Sequence, residues 1–542
     1  MQKKQLIILG AGIMQGPAIR AAKTLGLETI VADADPNAPC AQDADRFEKI
    51  DLKDKERIET LARSLQAHGR LAGIMTAGTD FSATAAWVAE KLGLPGLSYE
   101  TALNASDKER MRSCFKRDGI PSPAFITLSA VPADGWKAPF GFPVVVKPVD
   151  NMGARGCRRA DTFEDLQDAV HDALPFSRSN RVIIEEYMEG PEFSVDAIVC
   201  QGKITITGLA DRHIVFPPYF IEMGHTMPTN LDPETTGNLL SVFNAGIRSL
   251  GIDNGAAKGD IKITPKGPMI GEIAARLSGG YMSGWTYPYA SGVELTRAAI
   301  EVAIGEDSAT IAATLTPSRN WTSAERAFIS IPGVVRSVLG DAAAKAVPYL
   351  RDIFLRIKPG DAVRFPVNNV SKAGNVIAAA PTREEAVLAA ETAARILLVR
   401  LEAPNEATAS FLESGDAAGV AFPPPAYAIS SEMEKLLEKV PSGIEESTPY
   451  LYNKATSKKN AGQSISIITF PEFETSELRD WAGRSVQESL EAIRTLTGFS
   501  LPVKKAEDVF FDTDLGYGFW KALIRGGYQG AVYLIDLLML QG

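Results

Sequence analysis

The chain has 542 residues, which is too long for one ordinary domain and predicts three or four. Hydrophobic residues make up 45% of it and charged residues 23%, a composition typical of a soluble globular protein. The formal net charge of −10 argues against a nucleic-acid partner, because general nucleic-acid binding needs a basic surface.

Residues 1–106 alternate predicted strands with predicted helices. Strands over "QLIILGAG", "ETIVADAD" and "LAGIMTAG" are separated by helices over "QGPAIRAAKTLG", "KERIETLARSLQ" and "FSATAAWVAEKLG". This βαβ series predicts a doubly wound parallel sheet. We interpret the start, "MQKKQLIILGAGIM", as a first buried strand and not as a signal peptide, because its apolar run is short.

A glycine-containing turn follows the first strand, with Gly10, Gly12 and Gly16 in it and Asp33 or Asp35 downstream. Such a turn can bind a dinucleotide. The spacing here is G-x-G-x-x-x-G, and a lone glycine motif is weak support. We therefore expect the turn to shape the sheet and to hold no NAD or FAD.

Residues 107–320 form a second predicted domain of the α+β class. A helix over "SDKERMRSCFKRDG" is followed by strands over "IPSPAFITL" and "FPVVVKPV" and by the loop "DNMGARGC". The segment "RVIIEEYMEGPEFSVDAIV" then predicts a strand, a turn and another strand.

The rest of the chain divides into three predicted parts. Residues 321–408 are β-rich and close with a helix over "REEAVLAAETAARILLVRL". Residues 409–462 contain several Pro and Gly residues and are predicted to be a linker. Residues 463–542, with a strand at "SISIITF" and a helix at "SELRDWAGRSVQESLEAIRTL", are predicted to be an additional α/β module for docking or oligomerisation.

Cysteine usage and hydropathy indicate the compartment. The four cysteines, Cys40, Cys114, Cys157 and Cys200, include no C-x-x-C pair, which favours a reducing compartment over a zinc site or a disulfide framework. No apolar stretch reaches the roughly 18 residues that a membrane span needs. We expect a cytoplasmic protein with no membrane partner.

A lysine precedes a loop that suits phosphate. Lys147 ends the run "VVVK", and the loop 150–157, with Gly153 and Gly156, follows it. Small residues let backbone N–H groups approach phosphate oxygens. A solvated strand end is the alternative interpretation.

Four acids downstream add to this pattern. Glu185 and Glu192 flank an apolar hinge and can accept hydrogen bonds from an adenine amino group and from ribose hydroxyls. Asp260 and Glu272 lie on neighbouring predicted strands, and such a carboxylate pair suits Mg²⁺. Without a cation, we expect the pair to repel, so that one of the two takes up a proton.

The ordered set of motifs resembles the ATP-grasp superfamily, of the carboxylate–amine ligase type. The resemblance covers about residues 1–305, and the β-rich segment is similar to the C-terminal part of biotin carboxylases and L-amino acid ligases. Five stretches carry it: "DKERMRSCFKRDGIPSPAF", "FPVVVKPVDNMGARG", "IIEEYMEGPEFSVD", "GDIKITPKGPMIGEIAARLSGG" and the βαβ domain ahead of them.

The resemblance implies a set of nucleotide contacts. Lys108 and Lys147 match lysines that contact ATP phosphates, and the loop 150–157 matches the mobile loop that covers them. The remaining matches are the adenine contact Glu185, the hinge residues Glu186 and Met188, whose backbone meets the base, and the ribose contact Glu192.

The resemblance also implies the chemical residues. Asp260 and Glu272 match magnesium ligands, Arg276 matches the arginine that faces the γ-phosphate and the acyl group, and Arg155 lies inside the mobile loop. Ala274 departs from the pattern, because many members have a metal-binding Asn there. A water can take that position on Mg²⁺, so the missing Asn is compatible with catalysis. The departure puts the second ion in doubt and not the reaction.

The acceptor side rests on one histidine. His225 lies in "FIEMGHTMPTN", which resembles a "GHxxP" stretch near the substrate pocket of amino acid ligases. A catalytic role follows from this resemblance, and a satisfied loop residue is the alternative. Tyr281 and Trp285 are expected to be core residues.

The leading prediction is an ATP-dependent ligase that forms an amide through an acyl phosphate and releases ADP and phosphate. ATP and Mg²⁺, which Mn²⁺ can replace, are the expected cofactors, and small carboxylate and amine substrates, as in amino acids, are the expected partners. A homodimer stays open. The alternatives are a purine-pathway synthetase or carboxylase, suggested by "GEIAAR", and a non-catalytic ATP-binding regulator, suggested by Ala274.

Overall fold

The computed structural model describes residues 3–413, 434–435, 437–440, 466–468, 484–499, 501–504 and 514–539. The chain divides into two compact units, Met1–Glu325 with Ala379–Val387, and Arg326–Ala378 with Leu388–Gly542. Most of the predicted linker 409–462 and the first part of the helix predicted from residue 476 lie outside the described residues.

Unit 1 begins with a parallel four-stranded sheet in the order β3-β2-β1-β4. Its elements are β1 Gln5–Leu9, α1 Gly16–Thr24, β2 Glu28–Asp33, β3 Arg46–Lys49, α2 Lys55–Gln66, β4 Leu71–Thr76 and α3 Ser82–Leu92. The six predicted elements are confirmed. Strand β3 was not predicted, because "RFEK" lacks the alternation of apolar and polar residues that indicates a strand. It forms a strand by pairing with β2.

Backbone N–H groups of the glycine turn after β1 donate hydrogen bonds to nearby side chains of the protein. The Ala11 N–H donates to Asp33 Oδ2 at 2.8 Å, and the Gly12 N–H donates to Gln15 Oε1 at 2.9 Å. Gly10 has φ +98°, which favours glycine. Two amides that a pyrophosphate would need are thus already hydrogen bonded, which supports the prediction of a structural turn.

Two helices and a small antiparallel sheet, ordered β5-β8-β6-β7, come next. Their bounds are α4 Tyr99–Ser106, α5 Lys108–Asp118, β5 Phe125–Leu128, β6 Val144–Pro148, β7 Arg158–Ala160, α6 Phe163–Ala173 and β8 Val182–Glu186. Helix α6 covers one face of this sheet, where Leu166 and Val170 pack with Val144 and Ile184.

A larger antiparallel sheet, ordered β13-β12-β9-β10-β11, completes the middle of unit 1. Its elements are β9 Glu192–Cys200, β10 Lys203–Val215, β11 Ile221–Met227, α7 Pro233–Leu250, β12 Gly255–Thr264 and β13 Gly267–Ala274. Helix α7 packs on it through Leu239, Phe243 and Ile247.

Short helices lead out of unit 1. They are a π-helical turn at Met282–Thr286, α8 Tyr287–Ser291, α9 Leu295–Ala303 and α10 Ser308–Thr314, followed by β14 Thr322–Phe328. Tyr281 and Trp285 are buried, with ring centroids 5.5 Å apart, so the expected core role is confirmed. Three 3₁₀ turns also occur in this unit, at Ile13–Gln15, Ala41–Asp43 and Leu174–Phe176.

Unit 2 contains the predicted β-rich segment. Its elements are β15 Gly333–Leu339, α11 Asp341–Lys345, β16 Leu350–Leu355, β17 Ala362–Val363, β18 Gly374–Ala380, α12 Arg383–Ile396, β19 Leu398–Leu401 and α13 Glu406–Glu413, of which β18 and α12 extend across the division between the units. The helix predicted to run to Leu401 ends at Ile396, because Leu398–Leu401 pair with β15 as a strand. Pairing with a neighbour outweighs local helix propensity at this point.

The C-terminal elements form a small parallel sheet, ordered β21-β20-β22, and two helices. They are β20 Ser466–Ile468, α14 Val486–Thr497, β21 Val503–Lys504, β22 Asp514–Leu515 and α15 Tyr517–Met539, which is interrupted at Gly527. Within the described part of the chain, no helix combines the length and hydropathy that a membrane crossing requires.

Candidate active site

Two sheets of unit 1 carry the predicted site residues. The small sheet provides Lys147 on β6 and Glu185 on β8. The larger sheet provides Glu192, Asp260 and Glu272 at strand positions on β9, β12 and β13, with Asp260 opposite Glu272 in the register. Residues 187–191 join the two sheets.

A buried ion-pair network fixes Lys147. Glu185 pairs with Arg112 at 2.7 Å and accepts a hydrogen bond from Lys147 Nζ at 2.7 Å, and both Arg112 and Glu185 are fully buried. Burial alone would raise the pKa of Glu185, but Arg112 and Lys147 lower it below its usual value. The predicted adenine contact through this carboxylate is not supported, because both oxygens face cations; the geometry favours positioning of Lys147.

A second network surrounds Arg212 on β10. Arg212 pairs with Glu192, with Asp260 at 2.6 Å and with Glu222 at 2.8 Å, while Lys258 pairs with the other oxygen of Asp260. Sequence reasoning missed Arg212, Glu222 and Lys258. Their signal is a charged residue in the middle of an otherwise apolar strand, which indicates a buried ion pair.

Glu272 stands among cations. Its Oε2 lies 3.8 Å from Lys108 Nζ, which also donates to the carbonyl of Asn151 at 2.7 Å. Burial would raise the pKa of Glu272, but Lys108, Lys258 and other cations bring it down to about 2. The expectation that one of the paired acids takes up a proton is therefore wrong for Glu272, because nearby lysines outweigh burial and repulsion.

Arg276 and Asp80 border Glu272. Arg276 is buried, its Nη1 donates to the Leu277 carbonyl at 3.0 Å, and its Nε has no hydrogen-bond partner within the described residues. Asp80, which sequence reasoning missed, follows β4; burial raises its pKa, and Arg276 and Lys108 oppose this rise. A buried guanidinium with an unused donor suits an anionic substrate group.

The loop 150–157 has fixed ends. Asp150 accepts hydrogen bonds from the N–H groups of Arg178 and Ser179 at 2.9 and 2.8 Å. Gly153 and Gly156 have φ values of +70° and +66°. Arg155 Nη1 lies 3.4 Å from Asn151 Oδ1. The catalytic role implied for Arg155 stays a prediction.

The hinge between the sheets is held by lysines. Lys266 pairs with Glu186 at 2.8 Å, and Lys262 Nζ donates to the Met188 carbonyl at 3.2 Å. The Glu186 N–H donates to the Ala124 carbonyl at 2.9 Å. Backbone contacts of Glu186 and Met188 with a nucleotide base stay predictions.

His225 lies on β11 and not in a loop. It is fully buried, with Nε2 2.9 Å from Thr286 Oγ1 and Nδ1 3.3 Å from Glu325 and 3.8 Å from Glu222. The loop interpretation is wrong, because the strand pairs with β10 through this residue. The burial of His225 does not support a direct catalytic role. Its contacts favour a role in positioning Glu222.

A small, partly open pocket of about 70 Å³ adjoins Arg276. Its wall is formed mainly by small apolar side chains of β4, α3 and α9, together with Arg276 and Leu277. The hydroxyls of Thr76 and Ser82 in this wall are bonded to the Leu9 carbonyl and to Ser106. The space therefore suits an apolar group.

The carboxylate pair fits a magnesium ion bound together with a nucleotide. Asp260 and Glu272 face each other, and among the described side chains no three of His, Cys, Asp or Glu gather to hold a metal. Mg²⁺ is commonly bound by one or two carboxylates plus substrate phosphates and waters. Ala274, buried beside them, adds no ligand.

Three family models match the chain. They are an ATP-grasp N-terminal domain over residues 19–96, an ATP-grasp domain over 140–284 and the L-amino acid ligase C-terminal domain 2 over 327–402. The chain contains an ATP-grasp domain. The predicted family and the predicted α/β fold are thereby confirmed, and the C-terminal match lies in unit 2 except for residues 379–387.

The chain is also similar to individual proteins. An uncharacterized protein of Sinorhizobium fredii is 25% identical over 394 residues, which is 71% of this chain and 80% of that protein. Human carnosine synthase 1 is 28% identical over 333 residues, or 56% of this chain, but the match covers only 40% of its own length. The crystal structure of an L-amino acid ligase from Bacillus licheniformis has a TM-score of 0.65 at 21% identity, covering 74% of this chain and all of that one.

Proposed function

We propose that this ATP-grasp protein is an ATP-dependent carboxylate–amine ligase. The observation that carries the proposal is the gathering of the cations Lys108, Lys147 and Arg276 around Glu272, which lies opposite Asp260. The similarity to carnosine synthase 1 and to an L-amino acid ligase supports the same class of reaction.

The residues divide the work of phosphoryl transfer. Lys147, held by Glu185, and Lys108, held by the Asn151 carbonyl, would bind phosphate oxygens. A substrate carboxylate oxygen would attack the γ-phosphorus and release ADP. Arg276, with its unused Nε, would bind the resulting acyl phosphate, and the loop 150–157 would exclude water from it.

Amide formation completes the proposed reaction. An amine nitrogen attacks the acyl carbon, the C–O bond to phosphate breaks, and phosphate leaves while the amine loses a proton. Bound Mg²⁺, or Mn²⁺ in its place, would neutralise charge on the transferred phosphoryl group. Glu272 would hold this ion, with Asp260 opposite it in the strand register. The proposed setting is the cytoplasm.

A pairwise screen tests the proposal. Purified protein is incubated with Mg-ATP and pairs of carboxylic acids and amines, and ADP, phosphate and amide are measured by coupled assay and mass spectrometry. Acids with small apolar side chains come first, because of the apolar cavity beside Arg276. The expected result is equal release of ADP and amide for at least one pair.

The control distinguishes a catalyst from a nucleotide-binding regulator. Glu272→Gln protein should bind ATP weakly and release little phosphate, whereas a change at the exposed Glu306 should leave both unchanged. Tight ATP binding by wild type with no pair giving amide or phosphate would favour the regulator over the ligase.

A further inference from the structure

The starting observation is the charge balance around Arg212. Its side chain is 8% exposed and pairs with three carboxylates, Glu192, Glu222 and Asp260. A guanidinium stays protonated in proteins, so Arg212 is a permanent cation at the centre of an acidic cluster.

Asp260 and Glu272 differ in how strongly cations already hold them. Oδ1 of Asp260 lies 2.6 Å from Arg212, and its Oδ2 pairs with Lys258. The ion-pair partner of Glu272 is Lys108, at 3.8 Å, and 31% of the Glu272 side chain is exposed. Of the two acids, Glu272 is the one that can take up a metal ion without displacing a close cation.

The cluster is neutral as folded. Glu192, Glu222 and Asp260 contribute three negative charges, and Arg212, Lys258 and Lys262 contribute three positive charges, with Lys262 3.9 Å from Glu192. Two more positive charges beside Asp260 would face close repulsion in a partly buried site.

Ala274 also argues against a second metal ion beside Asp260. In the register of β12 and β13, Ala274 lies opposite Lys258. A position that could supply an oxygen ligand therefore has a methyl group, and its cross-strand neighbour is a cation. This arrangement disfavours a second divalent ion next to Asp260.

We propose that Arg212, assisted by Lys258, takes the place of a second metal ion at Asp260, so that the chain binds one divalent cation per ATP, through Glu272. This inference rests on the proposed function, since it assumes that ATP binds in this cleft. Arg212 then acts as a positioning residue that supplies fixed positive charge beside Asp260, without the loss and rebinding that a metal undergoes.

Counting bound Mn²⁺ tests the inference. Mn²⁺ is titrated into protein saturated with one equivalent of a non-hydrolysable ATP analogue, and free Mn²⁺ is read by electron paramagnetic resonance. Wild type should bind one Mn²⁺ tightly. The double variant Arg212→Gln, Ala274→Asn should bind two, because Asp260 loses a close cation and gains a neighbouring oxygen ligand.

The controls separate the possible failures. Arg297→Gln, which removes another arginine that pairs with acids, should still bind one Mn²⁺. Two tight ions in wild type would overturn the inference, and this measurement needs no variant to fold. A folded double variant that still binds one would also overturn it. Failure of the analogue to bind wild type would instead contradict the proposed function.

Discussion

At the scale of single residues, this site is built from buried charges that hold one another. Glu185 lies between Arg112 and Lys147, and Asp260 lies between Arg212 and Lys258. The buried carboxylate of Glu185 keeps its pKa below the usual value because Arg112 and Lys147 compensate the loss of hydration. Lys147, which we propose binds phosphate, is thus held in place before any nucleotide arrives, and this would lower the cost of ordering it on binding.

The first prediction concerns pH and Glu272. Its pKa of about 2 lies below the roughly 4.3 of an unfolded glutamate. A depressed pKa adds stability that is fully present above about pH 4.3 and is lost as the pH falls towards 2. Wild type should therefore unfold at a higher temperature than Glu272→Gln at pH 7, and the gap should narrow between pH 5 and pH 3. A difference in unfolding temperature that does not change with pH would contradict the ion pairs assigned to Glu272.

The same substitution has a catalytic consequence. Phosphate release with Mg-ATP should fall by on the order of a hundredfold, the scale for loss of one electrostatic stabiliser. The added thermal stability that Mg-ATP gives wild type should largely disappear, because a ligand stabilises only the state that binds it. Differential scanning fluorimetry and a phosphate assay measure the two effects, with Glu306→Gln as the control.

A third prediction concerns Arg112. Arg112→Met leaves Glu185 with Lys147 alone in a fully buried position, so the free energy of unfolding should fall by about 3–5 kcal/mol. Adding Glu185→Gln should recover part of this loss, since the uncompensated charge is removed. Urea unfolding of both variants checks this. A loss below 1 kcal/mol for Arg112→Met would show that the pair is not a buried network.

At the scale of secondary structure, helices and strands with strong periodicity could be predicted and those made by neighbours could not. Helix α2 matches the predicted residues 55–66 because Asp54 caps it and Ile58, Leu61 and Leu65 line one buried face. Strands β3 and β19 form because a neighbouring strand supplies their hydrogen bonds, and "RFEK" or "LVRL" alone does not indicate this.

The site shows the same division. Motif residues such as Lys147, Asp260 and Glu272 were found because they recur at fixed places along a familiar order of strands. Arg212 and Glu222 lie on the β10–β11 hairpin and pair with each other, and Arg212 also pairs with Asp260 on another strand. Arg112 reaches Glu185 from helix α5. These contacts depend on how elements pack, which no local spacing encodes.

A fourth prediction belongs to the loop 150–157. A Cβ at Gly156 would lie 2.9 Å from Phe176 and 3.1 Å from Ala173, and its φ of +66° disfavours any side chain. Gly156→Ala should therefore shift the loop and weaken Mg-ATP binding about tenfold by calorimetry, the effect of roughly 1.4 kcal/mol. Gly135→Ala is the matched control, because it also has positive φ but open space around it. Equal affinities of the two variants for Mg-ATP would contradict the assignment of this loop to the nucleotide-binding site.

At the scale of the whole molecule, helix α15 is part of the core of unit 2. Gln529 donates to the Val399 carbonyl at 2.7 Å, Tyr533 donates to the Asn405 carbonyl at 2.9 Å, and Asp536 pairs with Arg400. These partners lie within or just after the region that matches the L-amino acid ligase C-terminal domain 2, residues 327–402. A docking or oligomerisation role for residues 463–542 stays a prediction, and for α15 it comes in addition to a structural one.

The final prediction tests that structural role. Asp536 is 3% exposed and receives a hydrogen bond from Arg400 Nε at 2.7 Å. Arg400→Met would leave this carboxylate with Arg336 at 3.8 Å, so unfolding of unit 2 should become easier by about 3 kcal/mol. Lys345→Met, which breaks the exposed pair with Asp341, should change stability by less than about 1 kcal/mol. Calorimetry with and without Mg-ATP distinguishes the unfolding transitions of the two units. The nucleotide should raise the transition temperature of unit 1 by the same amount in both variants. An unaltered transition in Arg400→Met would mean that α15 does not stabilise the fold of unit 2.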